Sequence, residues 1–231
     1  MARKYFSRAA FDFLKELEAN NNKQWWEGNK DRYIAVIREP AFDFIDDFGK
    51  RLETLSSHYL ADTRTNGGSL MRPYRDVRFS KDKTPYKTNI GIHFRHEGGK
   101  DVHAPGFYLH LEPSACFAGV GLWNPEPRVA RDIRQAISDD PVGWRKATKT
   151  KAFADYWSIE HNDETTLKRI PKELDQDHPF SDDLRLKSFT AGSRLNQRMV
   201  TSEGFDGELA RLFKNASPYM RFLSEAIGVD Y

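Results

Sequence analysis

Apolar positions recur at helical spacing near both ends of the chain and alternate with polar ones in its middle. Ala10, Phe11, Phe13, Leu14 and Leu17 fall on one face of a helix, with Ser7 as its N-cap and Asn20, Asn21 and Asn22 ending the run. The next stretch carries Trp25, Trp26, Tyr33, Val36 and Ile37, and Pro40 then opens another periodic stretch through Phe44, Phe48, Leu52 and Leu55, so the first sixty residues read as helical. From about Leu70 the period becomes two. Ile90, Ile92 and Phe94 alternate with Gly91, His93 and Arg95, which predicts a strand buried on one face. After the turn-rich Glu97 to Asp101, Phe107, Leu109 and Leu111 alternate with Tyr108, His110 and Glu112, and Ala115 to Leu122 completes a meander.

Asn124 is expected to cap a helix through Val129, Ile133 and Ile137, which Asp139, Asp140 and Pro141 stop. Residues 141–186 read as short, mixed elements with Trp144, Phe153, Tyr156 and Trp157 in the core. Lys187 to Leu195 reads as a further strand. From Ser202 onward Leu209, Leu212, Phe213, Tyr219, Phe222, Leu223 and Ile227 mark a helix pair broken near Pro218. No internal repeat or low-complexity linker divides the chain, so residues 1–231 are read as one domain. Helices at both ends around a central antiparallel sheet make an α+β fold, because a parallel sheet would require strands and helices to alternate.

Composition narrows the function classes. Thirty-six Lys and Arg against thirty-four Asp and Glu leave a net charge of +2, too little for a global field that attracts nucleic acid. The lone cysteine, Cys116, makes neither an internal disulfide nor a zinc site, and in an apolar strand it reads as an inert small hydrophobe. The basic start MARKYFSRAAFDFLKELE lacks a signal-peptide core, and no apolar run reaches membrane-span length, so the expected location is cytoplasmic.

The segment from Arg72 to Lys87 departs from this balance. Six basic residues (Arg72, Arg75, Arg78, Lys81, Lys83, Lys87) less two acids (Asp76, Asp82) give +4, twice the charge of the whole chain. Guanidinium forks suit phosphate or carboxylate oxygens because two parallel charge-assisted bonds fix position and orientation. Phe79, Pro85 and Tyr86 supply anchors to the body. The competing reading is structural: Asp76 and Asp82 pair with neighbouring cations, Ser80 caps a turn and Pro85 bends the chain.

Other constellations are sparser. His110 and Glu112 share a strand face, and an antiparallel neighbour would add His93, a set able to hold a divalent metal or merely a polar sheet face. Gly119 and Gly121 leave room above the sheet for a ligand or a close-packed helix. His178 follows Asp177, which can orient it for proton transfer, and it precedes Pro179 as an ordinary turn histidine does. Trp25 and Trp26 with Lys23, Lys30 and Arg32 read as a base-stacking surface or as one core and one edge tryptophan. A Gly-rich phosphate cradle and a Ser or Cys nucleophile with an adjacent base are both missing, and no metal or cofactor is expected.

The strings RDVRFSKDKTPYK (Arg75 to Lys87), NNKQWWEGNKDRY (Asn21 to Tyr33), GVGLWNPEP (Gly119 to Pro127), IRQAI (Ile133 to Ile137) and LKRIPKELDQDHPFSDDLRLKSF (Leu167 to Phe189) resemble the domain-of-unknown-function family numbered twenty-four sixty-one. The resemblance spans nearly the whole chain. It implies a single-domain conserved hypothetical protein of microbes and fungi, with no accepted catalytic residue or cofactor to carry over. Trp26 stands where similar proteins often have Phe.

Residue chemistry then supports a small anionic ligand, phosphate- or carboxylate-bearing, in a cleft between the basic segment and the polar sheet face. Its contacts would be Arg72, Arg75, Arg78, Lys83 and Lys87, with Tyr86 and His110 assisting. The alternative is a non-enzymatic interaction module whose basic loop meets an acidic protein or nucleic acid, the latter disfavoured by the near-neutral chain. No membrane partner is expected, and whether a reaction is catalysed, or in what oligomeric state, the sequence leaves open.

Overall fold

A computed structural model describes residues 3–99, 104–162 and 164–231. Its order is α1 (Arg8–Ala19), α2 (Lys23–Tyr33), α3 (Glu39–Leu55), β1 (Tyr59–Leu60), β2 (Ile90–His96), β3 (Gly106–Leu111), β4 (Cys116–Leu122), α4 (Pro127–Asp139), α5 (Pro141–Thr148), α6 (Lys151–Ala154), β5 (Ser158–Ile159), β6 (Phe189–Leu195), α7 (Gln197–Val200), α8 (Phe205–Asn215) and α9 (Ser217–Ala226). The strands form one six-stranded antiparallel sheet, ordered β1-β2-β3-β4-β6-β5. The fold is α+β.

Alternation in the strands decides the layers. Ile92, Phe94, Phe107, Leu109, Leu111 and Ala118 are fully buried on one face, where α3 packs on β1 and α8, and α9 packs on β4. Phe48 of α3 stacks on Phe94 with centroids 5.0 Å apart, and Phe213 of α8 meets Phe107 at 4.8 Å. Each such ring removes apolar surface worth about 2–3 kcal/mol from water, so these contacts fix the helices to that face. The other face of the sheet carries Gly91, His93, Tyr108, His110, Phe117, Gly119, Gly121, Thr190, Gly192 and Arg194 by register.

The buried residues of α1 are Ala10, Phe11, Phe13, Leu14 and Leu17, the stripe its spacing predicts. Pro40 stands in the first turn of α3, where its periodic stretch begins. The join before it is not a break: α2 runs into α3 through a π turn, Ile34–Arg38, in which the Glu39 N–H reaches back to the Ile34 carbonyl. A proline inside a helix lacks the N–H and crowds the carbonyl four residues earlier, and the widened turn relieves both conflicts. Asn124 is not the cap of α4. Its φ is 49°, its N–H donates to the Ser188 hydroxyl at 2.8 Å, and the helix starts at Pro127 after Glu126. Asp140 both ends α4 and caps α5, accepting the Gly143 N–H at 2.8 Å. The turn read from Glu97 to Asp101 lies partly outside the described residues. No helix among the described residues is long and apolar enough to cross a membrane.

Candidate functional site

The basic segment is a hairpin clamped at its base. Leu70 bridges to Ile92 on the sheet edge, Tyr74 bridges to Tyr86, the Arg75 N–H donates to the Pro85 carbonyl at 2.9 Å, and the Lys87 N–H donates to the Pro73 carbonyl at 2.7 Å. Tyr86 is its anchor. The phenol ring lies on the Trp26 indole with centroids 4.3 Å apart and planes 14° from parallel, and only 4% of the residue is exposed. Asn21 brackets the same residue, donating Nδ2–H to the Tyr86 carbonyl at 2.9 Å and accepting the Tyr86 N–H at 3.1 Å. The asparagine–tryptophan block after α1 therefore holds the hairpin, a long-range link that neither motif reveals alone.

Within the hairpin three predicted anion ligands serve internal partners. Arg75 donates to the Asp82 carboxylate and the Thr84 hydroxyl. Arg78 grips Asp76 through Nε at 2.9 Å and Nη2 at 2.6 Å, and its guanidinium lies 5.8 Å above the Phe79 ring. Lys83 Nζ donates to the Val77 carbonyl at 2.8 Å. Asp82 accepts the Thr84 N–H at 2.9 Å, and this bond, followed by Arg75 and the Thr84 hydroxyl, pulls its pKa down to about 2. A carboxylate with a depressed folded pKa contributes stability above its ordinary pKa and loses it as pH falls through the folded value. The hairpin is accordingly expected to loosen between about pH 4 and pH 2, seen as faster hydrogen exchange at the Thr84 amide than at core amides of β3. Uniform protection of Thr84 across that window would show that Asp82 does not hold the tip.

Arg72 and Lys87 remain. Neither side chain has a hydrogen-bond or ion-pair partner among the described residues, and the backbone bond from the Lys87 N–H to the Pro73 carbonyl brings their stretches of chain together. Burial lowers the Lys87 pKa and the Arg72 charge lowers it further. Lys87 lines a small cavity of about 10 Å³ with Phe13, Trp26, Tyr33, Leu70 and Asn89 among its walls. Trp26 is 1% exposed, and its buried indole N–H has no acceptor among the described residues.

His110 stands apart from these cations. None of residues 72–87 lines the cleft above the sheet; Met71, at their edge, is the nearest to do so. His110 stacks on Phe117 with centroids 4.6 Å apart, faces the Tyr108 hydroxyl at 3.1 Å and Asn89 Nδ2 at 3.4 Å through Nδ1, and meets Glu112 at 3.3 Å through Nε2. The structure thus splits the sequence-based site into a hairpin with its cavity and a polar sheet face.

That face is an open cleft of about 1770 Å³. Gly106 pairs with Gly121, and Gly119 with Gly192, so its floor is bare backbone. At its rim Trp123 is 81% and Tyr156 is 55% exposed. His93 lies over Gly106, where a Cβ would come within 2.1 Å of Nε2, and its ring makes no hydrogen bond among the described residues. Burial, with Arg95 adding to it, lowers its pKa to about 4 and leaves the imidazole neutral.

Among the described residues no group of three or more His, Cys, Asp or Glu side chains is placed to hold a metal. By register Gly91 opposes His110 while Tyr108 opposes His93, so the two imidazoles lie in different rows. His178 accepts the Phe180 N–H at 3.1 Å and serves its turn. Cys116 donates to the Glu112 carbonyl at 3.4 Å, and burial pushes its thiol pKa up. A pair that sequence reasoning missed is buried Asp183 with the more exposed His161, at 2.6 Å, where Trp144 Nε1 also donates to Asp183 at 2.7 Å.

A search of curated proteins and one of solved structures each returned no match. The model of the DUF2461 family, described as a conserved hypothetical protein, matches residues 9–222 of the 231, and the chain belongs to that family.

Proposed function

We propose that this protein binds a small anion, the carboxylate or phosphate of a metabolite, at the base of the basic hairpin. Lys87 and Arg72 supply the charge and the Trp26 indole N–H a neutral donor. The observation that carries the reading is that Lys87 and Trp26 line one cavity as donors, and neither has an acceptor among the described residues. A buried donor left unpaired costs about 1–3 kcal/mol, and a half-buried cation beside a second cation adds to that strain. An anionic oxygen relieves both. The cavity admits one atom of oxygen or halide size, so the ligand inserts a single oxygen and leaves its body outside. Arg75, Arg78 and Lys83 shape the hairpin, and Tyr86 holds Trp26 in place. A lone buried thiol is compatible with work in the cytoplasm.

The test is thermal unfolding in phosphate, acetate or chloride at matched ionic strength. Saturating phosphate at about a hundred times its dissociation constant stabilises by about 2.7 kcal/mol, roughly 5–10 °C for a domain of this size. Lys87→Met is expected to abolish that gain while raising the anion-free midpoint by about 2 °C, because it removes a poorly solvated charge. The gain is also expected to fade as pH rises through the lowered Lys87 pKa, earlier than for an ordinary lysine, since the anion needs the protonated amine. An equal gain in wild type and Lys87→Met would dismiss the site.

A second reading, an interaction module for an acidic protein or nucleic acid, draws on Phe79, 95% exposed at the hairpin tip among Arg78, Lys81 and Lys83. It predicts that Phe79→Ala weakens association and leaves the phosphate response intact.

A further inference from the structure

The open sheet face carries a second constellation, independent of the hairpin, in which three side chains of β3 and the turn after it form a directed hydrogen-bond chain. Glu112 accepts from His110 Nε2 at 3.3 Å, which places the ring proton on Nε2. Nδ1 therefore presents its lone pair, and both groups facing it are donors: the Tyr108 hydroxyl at 3.1 Å and Asn89 Nδ2 at 3.4 Å. The arrangement follows from strand geometry. Residues 108, 110 and 112 alternate to one side, and the stack of His110 on Phe117, 4.6 Å apart and 14° from parallel, fixes the ring plane. Hydroxyl, imidazole and carboxylate in that order are the parts of a base-assisted nucleophile.

Tyr108 and His93 line the cleft, and the glycine floor begins beside them: Gly119 is the cross-strand partner of Tyr108, and a Cβ there would touch Tyr108 at 3.6 Å. Gly192, next in the row, has nothing within 4 Å of the position its Cβ would take, so no internal contact requires a glycine there. Glycine within a strand sacrifices about 0.5–1 kcal/mol relative to alanine. Both signs of charge line the cleft, Arg95 and Arg194 with Glu126, Asp155 and Glu160. Arg194 opposes Phe117 and has no partner among the described residues, and Arg95 acts on His93. His93 is a neutral imidazole whose ring makes no hydrogen bond among the described residues.

We infer that the open face is a group-transfer site in which Tyr108 attacks the phosphorus of a phosphate ester lying on the glycine floor, with His110 as general base and Glu112 as its positioning residue. The Tyr108 oxygen forms a bond to phosphorus as the ester oxygen leaves. The Tyr108 proton passes to His110 Nδ1, and the imidazolium so formed rests against the Glu112 carboxylate. The leaving alkoxide departs opposite the attacking oxygen and takes a proton from water in the open cleft, and His110 returns its proton to solvent, so the step balances with no further reactant. Arg95 and Arg194 offer charge to the phosphoryl oxygens, and the His93 ring offers one neutral N–H. Burial and the Glu112 charge hold the resting Tyr108 protonated, so its proton must leave as the new bond forms, which is the service a neighbouring imidazole provides.

An aryl sulfonyl fluoride tests this without knowledge of the natural ester, since its tetrahedral sulfur stands in for phosphorus: an O–S bond forms, fluoride leaves and the proton goes to the same base. Peptide mapping by mass spectrometry is expected to find Tyr108 modified at neutral pH well ahead of Tyr74 and Tyr156, which are 51% and 55% exposed. His110→Phe, which keeps the stack on Phe117, should slow modification of Tyr108 about a hundredfold and leave Tyr74 and Tyr156 unchanged. Glu112→Gln should slow it less and move the pH profile of labelling to lower pH, a displacement that a purely structural carboxylate would not cause; Glu112→Asp should restore part of the rate. The inference fails if Tyr108 reacts no faster than the two exposed tyrosines, or reacts equally fast in His110→Phe.

Discussion

Asp183→Ala is expected to lower the unfolding midpoint by about 10 °C. Asp183 is 5% exposed, and its two oxygens are both engaged, by Trp144 Nε1 at 2.7 Å and His161 Nε2 at 2.6 Å. Trp144 is fully buried between α5 and α9, with ring centroids 5.0 Å from Phe222 and 5.6 Å from Tyr219. Deleting the carboxylate strands the indole N–H inside the core and frees the His161 ring, which pins the chain leaving β5. Hydrogen bonds to a charged acceptor are worth about 1.5–3 kcal/mol each and an orphaned buried donor costs about 1–3 kcal/mol, so a total of about 3–5 kcal/mol is expected. Asp183→Asn keeps a carbonyl oxygen for Trp144 and is expected to lose about half as much. Denaturant unfolding of the two variants measures both. A drop of less than about 2 °C in Asp183→Ala would mean that the pair is ornamental to stability.

The same pair shows where sequence reasoning stops. Trp144 reads as a core residue from its apolar spacing, but its acceptor is 39 positions away. The sequence presents His178 beside Asp177 as the obvious imidazole–carboxylate couple, whereas the chain folds to join His161 with Asp183. Adjacency is visible in one dimension and closure is not. Strict alternation made β2, β3 and β4 legible, because a strand buried on one face repeats every two residues whatever packs against it. The two-residue strands β1 and β5 have no period to read. At Pro40 the start of the periodic stretch is legible and the join before it is not, because the fold relieves the proline's strain with a π turn that carries α2 into α3.

The basic segment illustrates the limit on function. Its excess of four positive charges is a fact of composition, but which cations are spent depends on a hairpin bringing Arg75 to Asp82 and Asp76 back to Arg78. Among the described residues the pairing leaves the side chains of Lys81, near the tip, and of Arg72 and Lys87, at the base, without acceptors, and adds Trp26, whose N–H no sequence pattern marks as unpaired. The Tyr108–His110–Glu112 chain was within reach, since the three residues share one face at intervals of two. The stack on Phe117 from the next strand, which sets the imidazole plane, was not.

Gly121→Ala is expected to cost at least about 3 kcal/mol, whereas Gly192→Val, on the same floor, is expected to be neutral or slightly stabilising. Gly121 has φ of +107°, a region that side-chain-bearing residues rarely enter, and a Cβ there would sit 2.0 Å from the Phe189 carbonyl oxygen. That oxygen belongs to the β6 backbone, so relief requires moving the β4–β6 ladder at Gly121 and Thr190, and the unfolding midpoint should fall by about 6–12 °C. Gly192 has an ordinary φ and open space beyond its Cα, and valine suits a strand better than glycine does. The contrast separates two reasons for glycine on one surface: the backbone demands it at 121, and at 192 only something lying in the cleft would. If a phosphate ester or its sulfonyl analogue rests on that floor beside Tyr108, the valine methyls of Gly192→Val occupy its place. Labelling of Tyr108 should then slow markedly in a protein as stable as the wild type. Undiminished labelling in that variant would put the ligand elsewhere on the face, and destabilisation by it would show that the floor is closed by contacts within the fold.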